Sequence, residues 1–286
     1  MDVRKKIVYL LLLSLFLISI SYFVKNEIQA YQLQGQYNEK LKEQLFNHVY
    51  EFEENFTIKF TGNTVQIDEQ LSAVMEALKA QDIYMYENIS RWNAKYSYTG
   101  SSAKIQFDVD YLTTKEEEVV VSQRVEEIIQ EVVQPSMTDV EKVKALHDFI
   151  VLNSAYDDAT TTSQYTAYTL LTEQKGVCQA YALLMYRLLH EIGIDVMYVK
   201  GHAGGTLHGW NLVKVNGEWY HLDVTWNDPV PNRENYIGYK YFLISDEAIK
   251  KTHHWTKENY PTTTKVSYNQ QPVDLEEFVV LNLMKE

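Results

Sequence analysis

The sequence predicts an α+β protein in which a helix that starts at a cysteine packs on an antiparallel sheet. Two stretches predict this class. Residues 176–193 hold a glycine, a cysteine and an amphipathic helix pattern that ends at a glycine, as helices commonly do. Residues 208–226 hold two strand patterns joined by Asn216-Gly217, a dipeptide that strongly favours a two-residue hairpin turn. The hairpin supplies the sheet on which the helix is expected to pack.

Composition limits the class of protein. The chain has 286 residues, of which 45% are hydrophobic, enough for a substantial core. Its 39 acidic residues outnumber its 26 basic residues, and the formal net charge of -13 opposes binding to phosphate backbones. We therefore expect no nucleic-acid partner, whereas cationic substrates such as lysine-bearing peptides or amino sugars are mildly favoured. The single cysteine excludes an intramolecular disulfide.

The N-terminus has the pattern of a membrane anchor. Basic residues at positions 4–6 precede an uncharged apolar run over residues 7–24. At about 1.5 Å per residue this run covers roughly 27 Å, near the thickness of a bilayer core. We expect residues 1–6 in the cytoplasm, a single-pass anchor at 7–24 and the remaining chain outside the cytoplasm. A signal peptide cleaved near Ala30 is the alternative, and it also exports the rest of the chain.

Residues 25–120 are expected to form a stalk and a small accessory α+β region. Apolar and polar residues alternate over 56–65 and 104–112, which is typical of half-buried strands, and residues 71–79 show helical periodicity. We find no chemistry-bearing motif in this region. It is therefore expected to serve as a support or spacer.

The main domain is expected to cover residues 121–286. Its first clear element is a helix that starts at Thr138, where a hydroxyl and Glu141 three residues later form a capping box. His147 and Asp148 lie in the middle of this helix, and we expect ordinary packing and solvation for them.

Cys178 falls in the first turn of the helix pattern that follows Gly176. A lone cysteine is usually a small buried hydrophobe, so its neighbours must decide its role. The free N–H groups and the positive dipole end of a helix start stabilise a thiolate and lower the thiol pKa from about 8.5. The same N–H groups can bind an oxyanion, with Gln174 or Tyr168 as a second donor.

Strand patterns follow this helix at residues 194–200, 208–215 and 218–226, and the glycine-rich residues 201–207 are expected to form a flexible loop. When the last two strands pair outward from their turn, Trp210 lies opposite Asp223. His208 then lies diagonally from Asp223 on the same face, at roughly 7 to 8 Å between backbones. The opposite face carries apolar residues that are expected to face the core: Val213, Val215, Leu222 and Val224.

These positions predict a thiol catalytic triad of Cys178, His208 and Asp223. A thiol at a helix start, a histidine to take its proton and an acid to orient the histidine are the groups needed for acyl transfer through a thioester. Trp210, beside the histidine, and His202, in the predicted loop, are expected to line the substrate cleft.

Three segments carry a family resemblance: Gly-Val-Cys178-Gln-Ala-Tyr-Ala, His208-Gly-Trp-Asn and Leu-Asp223-Val-Thr-Trp-Asn-Asp228-Pro. Their order and separations resemble those of the transglutaminase-like superfamily, in particular its bacterial, membrane-anchored kind. The resemblance extends over residues 140–255, about half of the chain, and three ordered motifs make it specific. It implies a papain-like core with Cys178 as nucleophile, His208 as general base and acid, and Asp223 as the orienting acid.

The resemblance also implies an activity: an exported cysteine-dependent hydrolase or acyltransferase that acts on peptide or protein substrates, with the cell surface as its expected place of action. Hydrolysis and transamidation differ only in whether water or an amine attacks the thioester, and both stay open. The sequence contains no calcium loop, nucleotide motif or paired metal-ligand spacing, so no cofactor is expected.

Two other interpretations stay open. The first is a zinc site built from Cys178, His208 and either His221 or His202, although these ligands lack the paired spacing of such sites. The second is a non-catalytic transglutaminase-like module for binding or assembly, in which Cys178 is a buried core thiol. An intact triad favours the enzyme over both.

Overall fold

The structure is a computed structural model that describes residues 39–233, 235–268 and 273–274. Its chain divides into two compact units, one up to Asp110 and the other from Tyr111. The predicted anchor at residues 7–24 lies outside the described residues. Within the described part of the chain, no helix combines the length and the apolar character needed to cross a membrane.

The first unit is a three-stranded sheet with helices. The first described helix, α1, covers residues 39–50. The other elements are β1 (Asn55–Thr61), a 3-10 turn (Thr64–Gln66), α2 (Ile67–Gln81), α3 (Ile83–Asn88), β2 (Ile89–Thr99) and β3 (Ser102–Tyr111). The strands lie in the order β1-β3-β2, and β1 and β3 pair antiparallel.

In this unit, alternating apolar and polar residues predicted β1 and β3, and helical periodicity predicted α2. The structure confirms all three. On β1, the side chains of Phe56, Ile58 and Phe60 are buried in alternation with exposed neighbours. The sequence analysis missed β2. Because β2 lies at the edge of the sheet and is mostly exposed, it lacks the apolar alternation by which a strand is recognised.

The second unit is mixed α+β. Its helices are α4 (Lys115–Val132), α5 (Asp139–Asn153), α6 (Ala167–Glu173), α7 (Cys178–Glu191), α8 (Val224–Asn227) and α9 (Asp246–Ile249), with a 3-10 turn at Lys257–Asn259. Its strands are β4 (Ala155–Tyr156), β5 (Lys175–Gly176), β6 (Val196–Ala203), β7 (Thr206–Val215), β8 (Glu218–Leu222), β9 (Tyr236–Ile237), β10 (His253–His254) and β11 (Val273–Asp274). The main sheet is antiparallel in the order β10-β6-β7-β8. The predicted domain boundary at residue 120 falls inside α4, which belongs to this unit.

The capping box predicted at the start of α5 is present. The hydroxyl of Thr138 accepts from the backbone N–H of Glu141, and the Glu141 carboxylate accepts from the backbone N–H of Thr138 at 2.8 Å. Two otherwise unpaired donors of the first turn are thereby satisfied, so α5 begins one residue after Thr138.

The two hairpins of the main sheet have two-residue turns. Asn216 and Gly217 have φ angles of 52° and 82°, the left-handed values that such a turn needs, and Val215 pairs with Glu218 as predicted. The predicted flexible loop at 201–207 is wrong. Gly204 and Gly205 alone form the turn between β6 and β7, and the residues on either side extend the two strands.

Both faces of the main sheet are covered. Helix α7 packs on one face, where the side chain of Asn211 donates to the carbonyl of Ala182 at 3.0 Å and where Val213, Val215 and Leu222 are buried, as predicted. The other face, which carries Trp210, is covered by a hydrophobic cluster that includes Tyr241, Ile244 and Ile249. The face that holds the predicted histidine is therefore a second core surface.

Candidate active site

Cys178 is the first residue of α7 and is half-buried. The preceding Gly176 lies in β5, which pairs with β4. A side-chain Cβ at Gly176 would lie 2.9 Å from the Cβ of Ala180 and 3.3 Å from the carbonyl oxygen of Gln164. Only glycine allows this close approach, which places the thiol at the helix start and at the surface of a cleft.

His208 connects the thiol to a buried carboxylate. Its Nε2 atom lies 2.7 Å from Oδ2 of Asp223, and its ring also interacts with the Cys178 thiol, which contributes to the raised pKa of His208. The structure thus brings together Cys178, His208 and Asp223 in that order. His208 comes from β7 and Asp223 directly follows β8, so the hairpin register produces the contact.

Asp223 also caps a short helix, a role that the predicted strand did not include. The predicted strand at 218–226 is confirmed over residues 218–222 and wrong beyond them, because β8 ends at Leu222 and Asp223 caps the short helix α8. Its Oδ1 accepts from the backbone N–H of Trp226 at 3.0 Å, which leaves Oδ2 for the imidazole. Asx caps of this kind start a helical turn, and here the same cap fixes the orientation of the carboxylate.

Sequence reasoning missed His253. This fully buried residue of β10 lies with its Nε2 atom 2.8 Å from Oδ2 of Asp223, the oxygen that also contacts His208. Its Nδ1 atom lies 2.8 Å from the hydroxyl of Thr252. Because β10 has only two residues and reaches the site by pairing with β6, no local pattern indicated it.

The charges of the site favour a thiolate and an imidazolium. Burial opposes ionisation of Cys178, but the hydrogen bond and charge of His208 and the N–H of Gly209 hold the thiol pKa below its ordinary value. Burial also opposes protonation of His208, but Asp223 and Cys178 raise the pKa of His208 to about 10. Despite its burial, Asp223 has a lowered pKa because both histidines donate to it. At neutral pH the site therefore favours an ion pair ready for nucleophilic attack.

A cavity of about 630 Å³, named here the thiol cavity, opens beside Cys178. Besides Cys178 and His208, the residues that line it include Tyr156, Asp157, Asp158, Gln164, Tyr165, Gln179, Tyr198, Lys200 and Leu207. Its lining thus combines aromatic and polar side chains around the thiol.

The two residues predicted for the cleft, Trp210 and His202, do not line the thiol cavity. Trp210 is buried, its ring stacks on His208 with 5.8 Å between centroids, and its Nε1 donates to His221 at 2.9 Å. His202 is exposed on β6, where it pairs with Leu207 and His254. The predicted face of Trp210 was right, but that face is covered by the cluster of Tyr241, Ile244 and Ile249 and by the rings of His253 and Trp255.

The predicted second oxyanion donors also lie elsewhere. Neither Gln174 nor Tyr168 lines the thiol cavity, and Gln174 lines a separate small cavity with residues of α5 and α6. The backbone N–H of Cys178, at the first helical position, has no acceptor within its own helix, so it is the candidate donor to an oxyanion.

The zinc set considered above is not assembled. Both ring nitrogens of His221 are engaged, Nδ1 by Trp210 and Nε2 by Asp246 at 2.9 Å, so this residue has no nitrogen left for a metal. Among the described residues, the structure instead brings His208, Asp223 and His253 within metal-binding distance of one another. Those ligand atoms already hydrogen-bond to each other.

The thiol at the start of α7, the imidazole from β7 and the buried carboxylate that follows β8 are the three kinds of group found in papain-like thiol sites. Residues 126–224, which contain all three side chains, match the family model described as Transglutaminase-like superfamily. Residues 126–224 are therefore a transglutaminase-like domain.

Individual relatives are distant. Kyphoscoliosis peptidase from Homo sapiens and its counterpart from Mus musculus are each 22% identical over 181 residues, which cover 56% of this chain and 27% of the relative. The chain thus spans about a quarter of the length of the curated relatives it matches. A crystal structure of a TGase is 14% identical and covers 73% of this chain and 61% of its own, with a TM-score of 0.37, too low to support an inference.

Proposed function

We propose that this protein is a thiol acyl-transfer enzyme that acts on peptide or amide bonds through a thioester at Cys178. One observation carries the proposal: the ring of His208 lies 2.7 Å from the buried carboxylate of Asp223 and also interacts with the Cys178 thiol, whose pKa it lowers. A structural cysteine has no need of a neighbouring imidazole whose pKa is raised to about 10. Clusters of strongly shifted groups that border a cavity are typical of active sites.

The residues imply the following steps. The Cys178 thiolate attacks the carbonyl carbon of the substrate, a C–S bond forms, and the oxyanion accepts from the N–H of Cys178. The imidazolium of His208 gives its proton to the amide nitrogen, the C–N bond breaks and the amine leaves. Water or a second amine then attacks the thioester and gives its proton to His208, and the C–S bond breaks. With water the enzyme is a peptidase or amidase, and with an amine it is a transglutaminase-like acyltransferase.

Alkylation of the full-length protein with iodoacetamide across pH tests the nucleophile. Because Cys178 is the single cysteine of the chain, all labelling reports on it. We expect rapid labelling well below pH 8 and much slower labelling of His208→Ala. His202→Ala is the matched control, since His202 is exposed outside the thiol cavity. Labelling that occurs only after unfolding would contradict the enzyme and favour a binding module.

We further propose that the apolar run at residues 7–24 anchors the protein in a membrane and that the site faces outward, toward peptide or protein substrates at the cell surface. The basic residues before the run support this orientation. A membrane-impermeant maleimide applied to intact cells should label Cys178. In a Cys178→Ser background, Asp2→Cys should be labelled only after permeabilisation. The reverse pattern would place the site in the cytoplasm.

A further inference from the structure

A second cavity, of about 390 Å³, borders His208 but does not reach Cys178. It is named here the Asp228 cavity. It shares Tyr156, Leu207 and His208 with the thiol cavity, so the two cavities meet at the histidine. Its other lining residues are Ala203, Gly204, Thr206, Thr225, Trp226, Asp228 and Val230.

Asp228 is an unusual residue to find in this wall, because it is only 4% exposed. Its Oδ2 accepts a hydrogen bond from the hydroxyl of the fully buried Tyr181. Its Oδ1 has no hydrogen-bond partner among the described residues. The backbone N–H of Asp228 bonds to the carbonyls of Val224 and Thr225 at the end of α8, so the residue is held in place. A buried carboxylate oxygen without a donor is costly, and burial raises the pKa of Asp228 to about 7. At neutral pH the carboxyl is therefore fully ionised only when a cation pairs with it.

The residues that line the Asp228 cavity indicate which class of ligand it would bind. Asp228 is its one carboxylate, and neither lysine nor arginine occurs among the described residues that line it. Two aromatic side chains, Tyr156 and Trp226, share the wall with the acid. An acidic group combined with aromatic rings is a combination that binds organic cations, through a charged hydrogen bond and through cation–π attraction.

The position of the cavity relates it to one half of the substrate. In the proposed reaction the acyl group is bonded to Cys178, whereas His208 exchanges a proton with the nitrogen of the amine. The acyl part therefore belongs in the thiol cavity. A cavity that borders His208 and not Cys178 is placed for the amine part, both when it leaves and when a new amine attacks.

We propose that the Asp228 cavity binds a cationic group carried by the amine part of the substrate, with Asp228 as its specificity-determining residue. This inference rests on the proposed function. The nitrogen that reacts must be uncharged to attack the thioester, so the bound cation is a second one, such as the ammonium or guanidinium of a basic side chain or the far end of a diamine.

The reaction balances as follows. The uncharged amine attacks the thioester carbon, forms the C–N bond and passes one proton to His208. The C–S bond breaks and Cys178 leaves as the thiolate, paired with the imidazolium. The second ammonium stays protonated at Asp228 throughout. In the hydrolytic direction the same carboxylate holds the cation of the departing amine.

The test compares two amines as acceptors for the acyl-enzyme of the full-length protein. p-Nitrophenyl acetate supplies the acyl group, and the burst of p-nitrophenol reports acylation of Cys178. Turnover is then measured with 1,5-diaminopentane and with n-pentylamine, which has the same length and one amine fewer. We expect the diamine to be preferred about tenfold, the value of one charge-assisted hydrogen bond.

The variant Asp228→Asn should bring this preference close to one, because the amide keeps an acceptor for Tyr181 but loses the charge. Asp158→Asn is the matched control: it removes a carboxylate that lines the thiol cavity alone, and it should keep the preference. If Asp228→Asn fails to fold, the comparison of the two amines on the wild-type protein still decides.

The outcomes separate the two proposals. A normal burst with equal use of both amines, or a preference that survives in Asp228→Asn, overturns the Asp228 cavity as a cation site and leaves the proposed function intact. The absence of a burst in folded wild-type protein overturns the proposed function and this inference with it.

Discussion

The Nε2 atom of His253 lies 2.8 Å from Oδ2 of Asp223, the same carboxylate oxygen that contacts His208 at 2.7 Å. One oxygen thus serves two imidazoles, and the second oxygen of Asp223 is held by a backbone N–H. Both oxygens of the Asp223 carboxylate are thereby held in place, as an acid that orients an imidazole requires.

His253 is expected to act as a positioning residue. In His253→Ala, Asp223 loses one of the two side chains that hold Oδ2, so the carboxylate should hold His208 less firmly in position. The pH at which Cys178 alkylation is half-maximal should therefore rise. The shift should be smaller than in Asp223→Asn. A variant that is merely less stable, with an unchanged pH midpoint, would show that His253 only packs.

Asp223→Asn tests the orienting acid itself. The amide can still cap α8, but it removes the charge that raises the pKa of His208, so the imidazolium and the paired thiolate should both be lost near neutral pH. Loss of a hydrogen bond to a charged group should slow alkylation at pH 6 by about 10- to 100-fold. An alkylation profile identical to wild type would contradict the triad. Asp195→Asn, an exposed aspartate outside both cavities, is the control.

The raised pKa of His208 also predicts that the stability of the folded protein depends on pH. Its pKa of about 10 in the folded protein lies above the ordinary value of 6.5, so its contribution is complete below pH 6.5 and is lost as the pH rises through about 10. Between pH 7 and pH 10 the free energy of unfolding should fall on account of this group, and the lowered pKa of Cys178, which acts in the opposite direction, should offset part of that fall. Urea unfolding of wild type and of His208→Gln measures it, and the variant should show a smaller fall. Equal falls would refute the assignment.

Asn227 links α8 to α5. Its amide nitrogen lies 3.0 Å from Nε2 of His147, and its amide oxygen accepts from the backbone N–H of Tyr241 at 2.8 Å. Asn227→Ala would leave both partners buried without it and should destabilise the protein by about 2 to 4 kcal/mol. The exposed Asn153 is the control, and Asn153→Ala should cost less than about 1 kcal/mol in urea unfolding. A loss for Asn227→Ala no larger than for the control would contradict this role.

Local signals predicted much of this architecture. The Asn216-Gly217 turn determined the register of β7 and β8, and the capping box at Thr138 marked the start of α5. The expectation of ordinary packing for His147 was incomplete, because the residue is fully buried and its two ring nitrogens contact Asp148 and Asn227. The sequence pattern around a mid-helix histidine is the same whether the ring only packs or also hydrogen-bonds to buried partners.

The errors at the site share one cause. Alternation along a strand shows that Trp210 and His208 are on the same face, but it cannot show what covers that face. Here the cluster around Tyr241 covers it, so Trp210 packs beside the histidine and does not line the thiol cavity. His253 and Asp228 were overlooked as parts of the site for the same reason.

The sequence by itself determined that Cys178 begins a helix, that a tight turn brings His208 close to Asp223, and that these residues resemble those of a superfamily. Each of these results follows from residues near one another in the chain, where helix and strand periodicities and turn preferences operate. Only the tertiary structure decided that His253 shares the carboxylate, that Trp210 is buried, and that Asp228 borders a second cavity at the histidine. Those contacts join distant segments, and their geometry depends on the packing of the whole domain, which no local pattern contains.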